Sequence, residues 1–164
     1  MQHAYIHTKN RNKRKELLGP VWFNEGAAEY MAQVTLRKSF QDGSLTQIHE
    51  KNRWPFVFRK QMERKIKEGL RKLARSKCSG LKMQDLTYQK PCDGAHYDLG
   101  TWAHAYLVHK HGSEVLLETF YPNLEELEWE GAFVKTNGMA PEEFYAEFEQ
   151  FLKQPTSQQM AVLP

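Results

Sequence analysis

Residues 20–37 carry the clearest structural signal in the chain, because their apolar side chains recur at the spacing of one helix face. The apolar positions are Phe23, Ala27, Tyr30, Met31 and Val34. Pro20 suits the first turn of a helix, where a missing N–H costs nothing. The sequence therefore predicts a helix over about 21–37, with Glu25 and Glu29 four residues apart on one of its faces.

The same periodicity, interrupted by glycine and proline, predicts helices along most of the chain. The further predicted helices cover 2–18, 56–76, 97–111, a short segment up to Tyr121, 123–136, and a final helix that begins at Pro141. No segment shows the alternation of apolar and polar residues that is typical of a strand. We therefore predict a mainly α fold, with one domain over 1–155 and a disordered polar tail over 156–164. Gly26 is predicted to lie where helix 21–37 contacts helix 2–18.

The net charge of +3 conceals one strongly basic and one strongly acidic region. Residues 51–77 contain eleven Lys and Arg against two Glu, a net charge of +9. Residues 112–164 contain ten Glu against two Lys, a net charge of −8. The basic stretch is either a solvated helix face, with the two regions attracting each other, or a binding surface for nucleic acid or another anionic partner. We favour the solvated face. A non-catalytic, all-helical binding module is the alternative function.

The compartment and the redox state of the cysteines stay open at this stage. No apolar run has the length of a membrane span, and the N-terminus has no secretory apolar region. If Met1 is an internal methionine of a longer product, an exported form remains an option. Cys78 and Cys92 form no C-x-x-C motif. They suit one disulfide in an exported protein or two buried thiols in a cytosolic one.

Residues 22–30 read WFNEGAAEY, and this segment carries the main functional signal. It resembles the W-x-N-E-G-x-A-x-Y signature of the gluzincins, the thermolysin-like zinc peptidases. The resemblance implies the helical C-terminal portion of a zincin-like metallopeptidase domain, which hydrolyses peptide bonds. It also implies that Glu25 is the third zinc ligand, after two histidines. Residues 97–100, YDLG, are similar to the Y-x-x-G segment of the aminopeptidases in this family. That similarity implies that Tyr97 donates a hydrogen bond to the oxyanion of the tetrahedral intermediate.

The chain contains no H-E-x-x-H motif, and the two histidine ligands therefore have two interpretations. In the first, His3 and His7 are the ligands, because residues four apart on a helix can share a metal ion. Ala4 then occupies the position of the general base. In the second, the true motif lies before Met1, and His3 and His7 are ordinary helix residues. We favour the second. Both predict weak or absent zinc binding and little or no peptidase activity for the chain by itself.

Four further histidines lie in the second half of the chain: His96, His104, His109 and His111. Two of them are eight residues apart and share a helix face, but no acidic residue repeats with them. The sequence therefore predicts core or surface histidines at these positions rather than metal ligands.

Overall fold

The computed structural model describes residues 14–45, 57–90 and 92–164, and these residues form a mainly α-helical fold. The helices are α1 (Arg14–Leu18), α2 (Val21–Gln41), α3 (Phe58–Leu73), α4 (Ala95–His111), α5 (Tyr121–Asn137), α6 (Pro141–Leu152) and α7 (Thr156–Gln159). The residues described contain no strand, so the predicted fold class is confirmed. Within the same residues, no helix is both long enough and apolar enough to cross a membrane.

Short irregular elements connect the longer helices. Single 3₁₀ turns cover Ser76–Cys78, Met83–Asp85 and Cys92–Gly94, and a π-helical turn, Leu116–Phe120, leads into α5. Cys78 and Cys92 form a disulfide whose Cα atoms are 5.8 Å apart, within the usual range for such a bond. Of the two cysteine states that the sequence left open, the structure therefore has the disulfide. Of the predicted helix 2–18, only α1 lies within the described residues.

The centre of the fold is the crossing of α2 and α4, where two glycines meet. A Cβ atom on Gly26 would overlap the backbone of Gly100, and a Cβ on Gly100 would overlap the carbonyl oxygen of Trp22. The neighbour of Gly26 at this crossing is therefore α4. Most of helix 2–18 lies outside the described residues, so its expected contact with Gly26 stays a prediction. A small residue in a helix stripe indicates close approach but does not reveal which helix approaches.

Aromatic side chains fill the core on both sides of this crossing. The fully buried ones are Trp22, Phe23, Trp102, Phe120, Phe133, Phe144 and Phe148. Trp22 stacks on Phe144 with ring centroids 5.4 Å apart, which brings α6 against α2. The indole N–H of Trp102 donates to the carbonyl of Met62 at 2.8 Å, which ties α4 to α3. Burying such rings supplies the apolar area that holds the helices together.

The link between α1 and α2 packs against α5. Gly19 has a φ of +65°, and a Cβ at this position would overlap the indole of Trp129. Within α5, Glu128 has non-helical angles, φ 57° and ψ −176°, directly before Trp129. Because α5 is interrupted at Glu128 and Gly19 has no side chain, the indole of Trp129 can cover the turn from which α2 begins.

The end of the chain differs from its prediction, because residues 156–164 are folded rather than disordered. Arg59 donates to the carbonyl of Met160 at 2.8 Å and to that of Leu163 at 3.3 Å. Gln159 is buried, and its amide donates to the carbonyl of Leu152 at 3.0 Å, at the end of α6. A polar composition predicts a solvated tail, but here the polar groups find partners within the protein.

Candidate functional site

Most of the residues in the segment 22–30 are accounted for by packing. Its buried members are Trp22, Phe23, Gly26, Ala27 and Tyr30. They lie on the face of α2 that contacts α4 and the aromatic core. Their burial leaves Asn24, Glu25 and Glu29 as the residues of the segment with polar groups to offer to a site.

Asn24 holds the preceding helix in place. Its side-chain amide donates to the carbonyl of Leu18, at the end of α1, at 2.6 Å. This bond satisfies one of the carbonyls that a helix leaves open at its C-terminus. It also fixes the end of α1 relative to the first residues of α2.

Glu25 is partly exposed, and neither packing nor the helix dipole explains its position. It is the fifth residue of α2 and therefore lies beyond the first turn. The helix dipole favours an acidic side chain mainly within that first turn. The hydroxyl of Tyr88, 63 positions away in the chain, donates a hydrogen bond to its Oε1. A carboxylate on a rigid helix that already accepts one hydrogen bond is suitable for binding a cation or a donor group.

Tyr97 lies in the first turn of α4 and shares a face of the molecule with Glu25. Burial raises the pKa of Tyr97, and the negative charges of Glu25 and Glu29 raise it further. The hydroxyl therefore stays protonated at neutral pH and is available as a hydrogen-bond donor. The crossing of Gly26 on Gly100 explains this proximity, because each of the two side chains lies within one turn of its crossing glycine.

A charge network lies beside these residues and joins three helices. The ammonium of Lys65 on α3 lies 2.7 Å from a carboxylate oxygen of Glu29 and 3.5 Å from one of Asp98. Lys72 contacts the other oxygen of Asp98 at 2.5 Å. Lys65 and Asp98 are each only 7% exposed. The carboxylate of Glu29 is thus paired with the ammonium of Lys65.

The sequence reasoning missed both Lys65 and Tyr88. Lys65 had a detectable signal, because it occupies the buried stripe of α3 together with Phe58, Met62, Ile66 and Gly69. A lysine at such a position needs a carboxylate partner. Tyr88 had no comparable signal. It lies in a turn that nothing in the local pattern connects with Glu25.

Two of the four C-terminal histidines, His96 and His104, are buried, and His109 is exposed, as predicted for core and surface residues. Burial lowers the pKa of His104 to about 4. Its Nδ1 lies 2.9 Å from the carbonyl oxygen of Gly100, and since a carbonyl only accepts, Nδ1 carries the proton. This histidine is a neutral component of the core.

The residues that the structure describes supply one of the three predicted zinc ligands. Glu25 offers a carboxylate oxygen, which is a suitable ligand for zinc. Within residues 14–45, 57–90 and 92–164, no group of three or more His, Cys, Asp or Glu side chains is arranged to hold a metal ion. His3 and His7 lie outside these residues.

No protein-family model, no curated protein and no solved structure matches this chain. The likeness to gluzincins therefore depends on the motif residues themselves and on how the fold arranges them. Of these, Glu25 and Tyr97 lie together, Asn24 and Gly26 have structural roles, and Ala4, His3 and His7 are outside the described residues.

Proposed function

We infer that this chain contributes one part of a gluzincin-like zinc metallopeptidase site, with Glu25 as a zinc ligand and Tyr97 as the donor to the oxyanion. The supporting observation is that Glu25 and Tyr97, which belong to separate helices and separate motif segments, come close enough for the charge of Glu25 to raise the pKa of Tyr97. A shared site requires this proximity, and the crossing of Gly26 on Gly100 provides it.

Each residue would have a distinct role in peptide hydrolysis. Glu25 would hold the metal, which when bound supplies a water molecule of lowered pKa. Tyr97 would donate a hydrogen bond from its hydroxyl to the oxygen that becomes negative. The loss of such a donor typically costs about 10²–10³ in rate. The base that deprotonates the water has no counterpart at Ala4. We therefore expect weak or absent hydrolysis by the chain on its own.

Zinc binding by the chain is expected to be weak and to depend on Glu25. The reason is that a complete set of three ligands holds zinc tightly, whereas a missing or misplaced histidine pair leaves too few donors. The measurement is zinc stoichiometry after dialysis for the unmodified chain and Glu25→Ala. Glu142→Ala, an exposed glutamate on α6, serves as the matched control.

Substitution of Glu25 should weaken zinc affinity by at least about tenfold, the loss already seen when mere supporting residues of a zinc site are removed. The control should have no effect. Equal and measurable zinc retention by Glu25→Ala and the unmodified chain would rule out Glu25 as a ligand, whereas no zinc in either protein would favour the non-catalytic alternative. One tightly held zinc with robust peptide hydrolysis would instead identify His3 and His7 as ligands, with another residue as the base. Ala4→Glu tests whether restoring a base restores hydrolysis.

The rival function, nucleic-acid binding through the basic region, has less support. Several cations of α3 and the turn after it already contact carboxylates: Lys65, Lys67, Arg71, Lys72, Arg75 and Lys77. A surface built for phosphates would present such groups without partners. The rival predicts binding to single-stranded or duplex DNA whose affinity falls steeply with salt. Fluorescence anisotropy at 50 and 200 mM salt measures this, and we expect no salt-sensitive binding in the micromolar range.

A further inference from the structure

We propose that Tyr88 is a positioning residue for Glu25, and that the segment closed by the Cys78–Cys92 disulfide exists to present it. This inference rests on the function proposed above, because it assigns Tyr88 to the site that contains Glu25. The contact between the two side chains is the observation that carries it.

Tyr88 is placed at the tip of a tight turn. The backbone N–H of Lys90 donates to the carbonyl of Thr87 at 3.1 Å, and the N–H of Thr87 donates to the carbonyl of Lys90 at 3.3 Å. The hydroxyl of Thr87 also accepts from the N–H of Lys90 at 3.1 Å. Two residues, Tyr88 and Gln89, therefore form the turn. Their backbone is held from both sides.

Tyr88 gains little from burial. Its side chain is 57% exposed, the largest exposed fraction among the large hydrophobic residues of the described chain. The ring meets that of His96 edge-on, with centroids 6.2 Å apart. A phenol that gains little from burial, and whose hydroxyl reaches a carboxylate on another helix, is explained better by the hydrogen bond than by the ring.

The segment that carries this turn is anchored at its ends and in the middle. Cys78 is fully buried and Cys92 nearly so, which fixes both ends through the disulfide. Met83 and Leu86, 5% and 1% exposed, insert into the core between them. The ammonium of Lys82 contacts Glu149 on α6 at 2.8 Å. An exposed tyrosine on such a rigid support loses little conformational entropy when it binds Glu25.

The hydrogen bond has a defined consequence for a metal ligand. A carboxylate has two oxygens, and the phenol occupies Oε1, which leaves Oε2 for a cation. Groups that hydrogen-bond to metal ligands fix their orientation, and their loss typically lowers metal affinity by about 10–100-fold. Tyr88 would therefore determine how Glu25 points, without touching the metal or the substrate itself.

The first arm of the test measures the contact without any metal. The protein is labelled with 3-fluorotyrosine, and the ¹⁹F resonance of Tyr88 is assigned as the one that Tyr88→Phe removes. We expect Glu25→Gln to shift this resonance and to leave that of Tyr106 in place. Glu147→Gln should do the reverse, because Tyr106 donates to Glu147 in a pair of the same kind on α4 and α6. If the Tyr88 resonance has the same chemical shift in Glu25→Gln as in the unmodified protein, the proposal is overturned.

The role of the disulfide is tested by the double variant Cys78→Ala, Cys92→Ala, with circular dichroism to check folding. We expect the Tyr88 resonance to move towards that of free fluorotyrosine and to lose its response to Glu25→Gln. A response that persists in the folded double variant would overturn the role of the disulfide. If the double variant unfolds, the disulfide supports the whole domain rather than this turn, which also overturns that role.

The second arm uses zinc alone, measured by competition with a chromophoric chelator. Tyr88→Phe should weaken zinc affinity about 10–100-fold. Tyr106→Phe should leave it unchanged. Unchanged affinity in Tyr88→Phe would overturn the positioning role. If no chain binds zinc, including the unmodified one, the result favours the non-catalytic alternative, and the fluorine result alone then decides whether Tyr88 positions Glu25.

Discussion

Gly26→Ala should destabilise the protein severely, by about 3 kcal/mol or more, at the upper end of the cost of overpacking a core. An alanine in a helix normally gains about 1 kcal/mol over glycine. Here the added methyl group would overlap the backbone of Gly100, which cannot rotate away as a side chain can. The two helices would have to separate, and the aromatic core on either side of the crossing would lose its contacts. The steric cost therefore exceeds the propensity gain.

The measurement is chemical denaturation followed by circular dichroism, with two comparison variants. At Gly69 on α3, a Cβ would meet side-chain atoms of Leu99 and Asp98 at 2.8–3.2 Å, whereas at Gly26 it would meet backbone at 2.2–2.5 Å, so Gly69→Ala should cost less. Ala28→Gly, at an exposed site on α2, should lose only the propensity term of about 1 kcal/mol. A Gly26→Ala protein as stable as the unmodified one would show that α2 and α4 do not cross as described.

Acidification from pH 7 to pH 4 should lower the free energy of unfolding by about 3 kcal/mol through His104 alone. This follows because each unit of pKa difference between the folded and unfolded states corresponds to roughly 1.4 kcal/mol. Its pKa is about 4 in the folded protein against the ordinary histidine value of 6.5, so the unfolded chain binds a proton in this window and the folded protein does not. Stability therefore falls as the pH drops below 6.5 and levels off near pH 4. The physical cause is that Nε2 is buried, with no hydrogen-bond partner among the described residues.

The pH dependence is measured as the free energy of unfolding at a series of pH values between 4 and 7.5. His104→Gln keeps a donor for the carbonyl of Gly100 but cannot titrate, so its curve should be flatter over this range. His109→Gln, at an exposed position, should keep the slope of the unmodified protein. If the slope is the same in His104→Gln and the unmodified protein, other groups produce it and the buried histidine does not.

Part of the candidate site could be predicted from the sequence. The rest could not, because it depends on contacts between residues that are distant in the chain. Glu25 could be identified because its neighbours in the segment 22–30 are consecutive in sequence and form one turn after another of a single helix. Tyr97 could be identified in the same way from residues 97–100. The functional roles assigned to both remain predictions. Tyr88 and Lys65 could not be placed at the site, because their partners are distant in sequence. Glu25 lies 63 positions from Tyr88. Glu29 and Asp98 lie 36 and 33 positions from Lys65.

The folded C-terminal residues are a second case in which contacts with distant residues could not be predicted from the sequence. The composition of 156–164 favours disorder, since it contains few large apolar side chains. What orders it is Arg59, which reaches two of its carbonyls from the start of α3, and Gln159, which reaches back to the end of α6. Neither interaction has a local sequence signal.

By itself, the sequence predicted most of the described helices and where several of them begin or end. Pro141 opens α6, and Gly112 and Gly138 end α4 and α5, because helix periodicity and capping depend on residues only a few positions apart. Only the tertiary structure decided that Gly26 meets Gly100, that Lys65 is buried, and that a disulfide-closed turn reaches Glu25. Each of these contacts joins residues from distant parts of the chain, and which helix packs on which is settled by the fit of whole surfaces.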